Sequence, residues 1–159
     1  MGNDQITLRT ATAEDVASLV TLLNAAFAME RAFMDRDRIY PDEVVAYMNA
    51  GTYFVVDGEN GALASCMYLA QRGDRMYLGM LAVNPSRQGG GLGKRMMTFA
   101  ERHAVSSGCR ALDIRVVNLR TELPPFYRAL GFVDNGTEPL DDPKLMKPAH
   151  FLRMTKPLG

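Results

Sequence analysis

The chain has 159 residues, 47% of them apolar, with 18 lysines and arginines against 18 aspartates and glutamates. That size and composition predict one domain spanning residues 1–159 around an ordinary buried core. Balanced charge excludes a global pull toward nucleic acid or an anionic membrane, and no apolar run approaches the roughly 20 residues that cross a bilayer.

The start, Met1-Gly2-Asn3-Asp4-Gln5, lacks the basic and apolar regions of a secretory leader. Ile6 stands where a myristoylation signal needs Ser or Thr. Cys66 and Cys109 are too isolated for a disulfide framework or metal-ligand spacing, so they read as buried thiols. The expectation is a cytoplasmic protein, monomer or homodimer, without metal.

In chain order, Ile6 to Arg9 reads as a short strand. Thr12 and Asp15 form a helix start of the capping-box type, and Val16, Leu19, Val20, Leu23 and Phe27 mark the apolar face that follows. A second helix covers Asp42 to Asn49, just after Pro41. Tyr53 to Val56 and Ala62 to Ala70 read as a hairpin, and the turn Arg72-Gly73-Asp74 leads into a strand from Met76 to Val83. A third helix runs from about Leu92 to Ser107, lined by Leu92, Met96, Phe99 and His103 and closed by Gly108. Leu112, Ile114 and Val116 alternate as a half-buried strand does. Pro124 and Pro125 open a fourth helix, with Tyr127 in its first turn, and Gly131 ends it. Phe132-Val133 and Phe151 to Thr155 supply two last strands. This order implies a mixed sheet with helices packed on it.

The most informative stretch is Leu81 to Lys94. A buried strand meets a proline break, a glycine turn and then a helix. Such a turn bares backbone N–H groups at the positive end of a helix dipole, which is an anion site suited to phosphate. A Walker loop is excluded because Gln88 and Arg95 occupy two required positions. The dinucleotide pattern fails at Lys94 or Met96, depending on where it starts.

The pattern Gln/Arg-x-x-Gly-x-Gly/Ala does fit, through Gln88, Gly91 and Gly93, preceded by Leu81, Val83 and Pro85. Here the chain resembles the GNAT superfamily of acyl-CoA N-acyltransferases. Phe126-Tyr127-Arg128-Ala129-Leu130-Gly131-Phe132 is similar to a later signature of that superfamily, and Asn118 matches an asparagine that precedes it at a somewhat longer spacing. Glu30, Phe33, Arg38, Tyr77 to Leu81, Asn118 to Leu123 and the closing His150-Phe151 resemble a functionally obscure branch. The resemblance implies an α/β fold with a mixed, mostly antiparallel sheet of about seven strands and about four helices. It also implies acetyl-CoA as donor, N-acetyl transfer by direct attack, and no metal.

By the resemblance, coenzyme A is held by Leu81, Ala82 and Val83 on the strand, by Gln88, Gly89, Gly90, Gly91, Leu92, Gly93 and Lys94 in the turn, and by Asn118 and Tyr127. Tyr127 is the implied general acid, since a phenol of pKa near 10 keeps its proton at neutral pH; the alternative is a packing tyrosine. The oxyanion is expected to meet backbone N–H groups near Gly79 to Ala82. Gly79 fits either a bulge or the close packing of a helix.

The strand from Met76 to Val83 carries no glutamate, so Glu30 and Glu122 are the candidate bases, or else salt-bridge residues. A lysine amine costs roughly 4 kcal/mol to deprotonate at neutral pH, and an α-amino group far less. The expected acceptor is therefore a small-molecule primary amine of low pKa. Phe27, Glu30, Phe33, Arg38 and Arg120 are the expected substrate contacts, the two arginines gripping a carboxylate. A protein or peptide amine and a non-catalytic acyl-CoA sensor remain the alternatives.

Overall fold

The computed structural model describes residues 7–159. Seven strands form one sheet: β1 (Arg9–Thr10), β2 (Thr52–Asp57), β3 (Leu63–Arg72), β4 (Arg75–Val83), β5 (Ala111–Val117), β6 (Val133–Pro139) and β7 (His150–Pro157), in the spatial order β1-β2-β3-β4-β5-β7-β6. Four α-helices accompany them: α1 (Val16–Ala26), α2 (Pro41–Ala50), α3 (Leu92–Ser106) and α4 (Leu123–Ala129). The α/β class and the mostly antiparallel sheet agree with the expectation. Ile6, the expected start of the first strand, and the Met1–Gln5 segment lie outside the described residues.

Local chemistry sets the helix ends. The Thr12 N–H donates to Asp15 Oδ2 at 2.8 Å, and Arg9 grips the same carboxylate with two bonds of 2.9 and 2.8 Å. Tyr40 N–H donates to Glu43 Oε1 at 3.0 Å while Pro41 opens α2, where a missing N–H costs nothing. α4 begins at Leu123, so Tyr127 sits in its second turn and not its first.

Each face of the sheet has its own apolar cluster. Met67, Leu69, Met76, Leu78, Leu112, Ile114 and Val116 pack on Met96, Met97, Ala100 and Ala104 of α3 and on Tyr127 of α4. On the opposite face, Leu19, Leu22 and Leu23 of α1 and Val44 of α2 cover Tyr53, Val55, Cys66, Tyr68, Met80 and Ala82. Full burial of each such side chain stabilises by about 1.5–3 kcal/mol. β6 and β7 run longer than their apolar residues suggest. β6 is an edge strand whose side chains are almost all exposed, so it carries no alternation to read.

Two irregularities position the site. All sheet neighbours are antiparallel except β4 and β5, which are joined through α3 and run parallel. Their ladder covers only Arg75↔Ala111, Met76↔Leu112 and Tyr77↔Asp113, after which the strands part. The second irregularity is a bulge. Cys66 pairs with Ala82 and Tyr68 with Gly79, so Met80 and Leu81 together oppose Met67. Met80 takes the left-handed φ of +52°. The extra residue reverses the alternation: Met76 and Leu78 face α3, whereas Met80 and Ala82 face α1 and α2.

Candidate active site

Where β4 and β5 part, a cavity of about 700 Å³ opens between them. Leu78 to Val83 form one wall, Ile114 to Val117 the other, and Tyr127 and Leu123 of α4 lie at its side. The segment from Ala26 to Ile39 closes it, together with Pro139 to Asp142. These two covering segments are tied to each other. Asp35 N–H donates to the Lys144 carbonyl at 2.8 Å, and Met146 N–H donates to the Phe33 carbonyl at 2.8 Å. The 139–149 segment had no readable signal in the sequence, because its role comes from this long-range pairing.

The bulge falls at Met80, one residue beyond the expected Gly79. A left-handed non-glycine residue costs about 1–2 kcal/mol, so its presence in a cavity wall points to use. Gly79 is kept small by a neighbour on its own strand: a Cβ there would meet the Tyr77 ring at 2.9 Å. From Leu78 onward the edge of β4 is free of β5, so its backbone groups face the cavity.

Leu81, Ala82, Val83 and Gln88 line the cavity. Beyond them Gly89 and Gly91 take φ of +91° and +76°, which an L side chain rarely adopts. A Cβ at Gly89 or Gly91 would meet nothing within 4 Å, and one at Gly90 only the Arg87 carbonyl at 3.8 Å. The turn is thus an open cradle. The first helical bond of α3 runs from the Arg95 N–H to the Gly91 carbonyl at 3.2 Å, leaving the N–H groups of Leu92, Gly93 and Lys94 without a carbonyl one turn back. Leu92 is buried and anchors the helix, Gly93 sits 4.0 Å from Val83 Cγ2, and Lys94 is exposed. Bare amides, open space and a positive helix end fit a diphosphate.

Tyr127 is 7% exposed and lines the cavity, held edge-on by Phe126 and Phe132 at 5.1 and 5.5 Å. Burial pushes its phenol up to about 12, so it remains a proton donor throughout the neutral range. Asn118 stands elsewhere. Its N–H donates to the His150 carbonyl and its Oδ1 accepts the His150 N–H, both at 2.9 Å, which stitches the end of β5 to β7. It is not among the cavity-lining residues.

The expected acceptor contacts come together, but on each other. Glu30 Oε2 lies 2.7 Å from Arg120 Nη1, and Glu30 Oε1 lies 3.7 Å from Arg38 Nε. Arg120, 8% exposed, also donates to Glu122 Oε2 at 2.9 Å. Both guanidinium groups stack near Phe27, at 5.1 Å for Arg38 and 5.6 Å for Arg120. Both arginines thus already face a carboxylate of the chain's own, Glu30. Burial would push the Glu122 carboxyl up, but its own backbone N–H and Arg120 outweigh that and hold it below the ordinary range. Arg38 Nε is buried with no hydrogen-bond partner. Phe33 is buried beneath this group. Among the described residues, no cluster of three His, Cys, Asp or Glu side chains could hold a metal ion, and no helix is long and apolar enough to cross a membrane.

The model of the acetyltransferase (GNAT) family matches residues 17–132. The chain belongs to the GNAT acetyltransferase family. This GNAT enzyme is an acetyl-CoA-dependent N-acetyltransferase. Among solved structures it is similar to a putative phosphinothricin N-acetyltransferase, with 18% identity over 98% of this chain and 99% of that one and a TM-score of 0.78. It is similar to the ribosomal-protein-S18-alanine N-acetyltransferase from Escherichia coli, with 17% identity over 98% and 95% and a TM-score of 0.79. It is also similar to a phosphinothricin acetyltransferase from Sinorhizobium meliloti in complex with AcCoA, with 21% identity over 97% and 89% and a TM-score of 0.75. At such identities these likenesses bear on the fold alone. A search of curated protein sequences finds no match.

Proposed function

We propose that the whole chain works as one domain that acetylates the α-amino group of a small, carboxylate-bearing molecule by direct attack. The observation that carries this reading is Arg38: a guanidinium beside Phe27, its Nε 3.7 Å from Glu30 but making no hydrogen bond, in the same cavity as Tyr127. Acetyl-CoA, when bound, supplies an activated acyl group and a thiol leaving group.

The chain's own residues divide the remaining work. The cradle at Gly89 to Gly93 holds the diphosphate. The backbone freed by the Met80 bulge offers a donor to the acyl carbonyl oxygen, and such donors are worth about 2.7–4 kcal/mol each. Tyr127 donates its phenolic proton to the departing sulfur as the carbon–sulfur bond breaks, and the proton that the nitrogen sheds as the amide forms passes through solvent and restores the phenol. Arg38 receives the acceptor's carboxylate, while Glu30 and Arg120 hold Arg38 and Phe27 in place. Glu122, held below the ordinary carboxylate range, is a weak base. The α-amine of a peptide or amide, with a pKa of about 7.7–8.0, needs little help to become neutral; that of a free amino acid, whose own carboxylate stabilises the ammonium, needs more, and a lysine amine needs roughly 4 kcal/mol. The acceptors named for the neighbours, phosphinothricin and a ribosomal-protein alanine, differ in kind, so the cavity and not the likeness supports the choice.

Thiol release from acetyl-CoA tests the reading on paired acceptors: free α-amino acids, their amides, and Nα-blocked lysine. Preference for the free amino acids is expected. Preference for the lysine side chain overturns it.

A further inference from the structure

A second cavity, of about 510 Å³, lies beside the first and shares Tyr47, Tyr77, Ile114 and Arg115 with it. Its other walls include Arg72, Arg75 and Arg153, and its carboxylates are Asp113 and Glu138. Four guanidinium groups against two carboxylates leave positive charge in excess, although the chain as a whole is neutral.

The register makes this excess costly. Arg72 stands directly opposite Arg75 across β3 and β4, and Arg115 directly opposite Arg153 across β5 and β7. Like charges in opposed positions destabilise a sheet. Arg75 is compensated by two bonds of 2.6 Å to Asp113, which Thr155 also supports at 2.7 Å. Arg115 and Arg153 share one carboxylate, Glu138, at 3.4 and 3.9 Å, while Arg115 also stacks on Phe151 at 4.3 Å and Arg153 Nε donates to the Asn135 carbonyl at 3.2 Å. Arg72 stacks on Tyr77 at 4.4 Å, and among the described residues it has no carboxylate within ion-pair distance. Two opposed arginine pairs beside one hollow form a poor structural device and a good anion receptor.

We propose that this second cavity binds a distal carboxylate or phosphate of the acceptor, with Arg72, Arg115 and Arg153 as its contacts. The acceptor class is then a short acidic peptide or amino-acid derivative: its α-amine in the first cavity, its acidic group beyond Tyr77 and Arg115. This rests on the reading that the first cavity holds the acceptor amine.

Matched acceptors isolate the charge: Ala-Glu against Ala-Gln, and Ala-Ala-Glu against Ala-Ala-Gln, each in thiol-release kinetics and in calorimetry. For at least one length, the acidic member is favoured about tenfold in kcat/KM and in affinity. Arg72→Gln and Arg153→Gln each shrink that preference about fivefold, through KM and not kcat, and leave the KM for acetyl-CoA unchanged. Neither variant lowers the melting temperature by more than a degree or so, because relief of a like-charge contact offsets the lost stacking of Arg72 on Tyr77 or the long Arg153–Glu138 pair; a purely structural arginine would lower it by several degrees. Equal treatment of Glu and Gln at both lengths overturns the second-cavity proposal and leaves acyl transfer standing. Arginine-dependent binding of the acidic peptides without turnover keeps the second cavity and overturns the amine placement.

Discussion

Arg120 Nη1 lies 2.7 Å from Glu30 Oε2 across a sequence separation of 90 positions, and the pair joins the segment before α2 to the end of β5. The contact is largely buried, at 10% and 13% side-chain exposure. Removing one partner of such a pair leaves a charge in a poor environment. Glu30→Gln is therefore expected to lose about 1–3 kcal/mol in urea denaturation, tempered because Glu122 still faces Arg120. Adding Arg120→Met restores part of that loss. If Glu30 only positions Arg38, acceptor KM rises in Glu30→Gln while the pH–rate profile keeps its shape. A lost ionisation in that profile would identify Glu30 as the base.

Tyr127 yields a prediction in pH. Its phenol is pushed up to about 12 by burial, so the acid form persists well past the pH where an exposed phenol titrates. Rates in wild type are expected to hold through about pH 10. Tyr127→Phe is expected to lower kcat by about 10²–10⁴-fold with acetyl-CoA affinity retained. Calorimetry for binding and stopped-flow thiol detection for chemistry separate the two effects.

The glycine cradle separates conformational from steric demands. Gly91→Ala places a Cβ at φ +76° and is expected to cost about 1 kcal/mol of stability as well as cofactor affinity. A Cβ at Gly90 meets only the Arg87 carbonyl at 3.8 Å, so Gly90→Ala is expected to keep stability while intruding on the space proposed for the diphosphate. Acetyl-CoA titration of both variants beside their thermal melts checks this contrast.

The Arg9 and Asp15 pair sets an acid limit. Hydrogen bonds from Arg9 hold the Asp15 carboxyl at about 2, below its unfolded value. The stabilisation is present above the unfolded pKa and disappears as pH falls through the folded one. Because Arg9 is 40% exposed, the effect is discounted to about 1–2 kcal/mol. Wild type and Asp15→Asn should differ by that amount near pH 7 and converge near about pH 2 in denaturation curves.

Much of this was legible in order along the chain. Strand, glycine turn and helix from Leu81 to Ser106 announce themselves through apolar spacing and missing side chains, both local properties. The alternation of Leu112, Ile114 and Val116 marks β5 for the same reason. β6 was largely hidden, because an exposed edge strand needs no apolar face. Glu30, Arg38 and Arg120 were legible as one group of residues, but not as partners of one another, since nothing local reports a contact across 90 positions.

The sequence by itself determined the helices, most strands and the open glycine turn before α3, because short-range sterics and hydrophobic periodicity dictate them. Only the tertiary structure decided that the left-handed residue is Met80, that β4 and β5 part after Tyr77, and that opposed arginines share one face. These depend on strand register. Register is settled by the packing of both sheet faces at once, and a single bulge changes which side chains face the cavity.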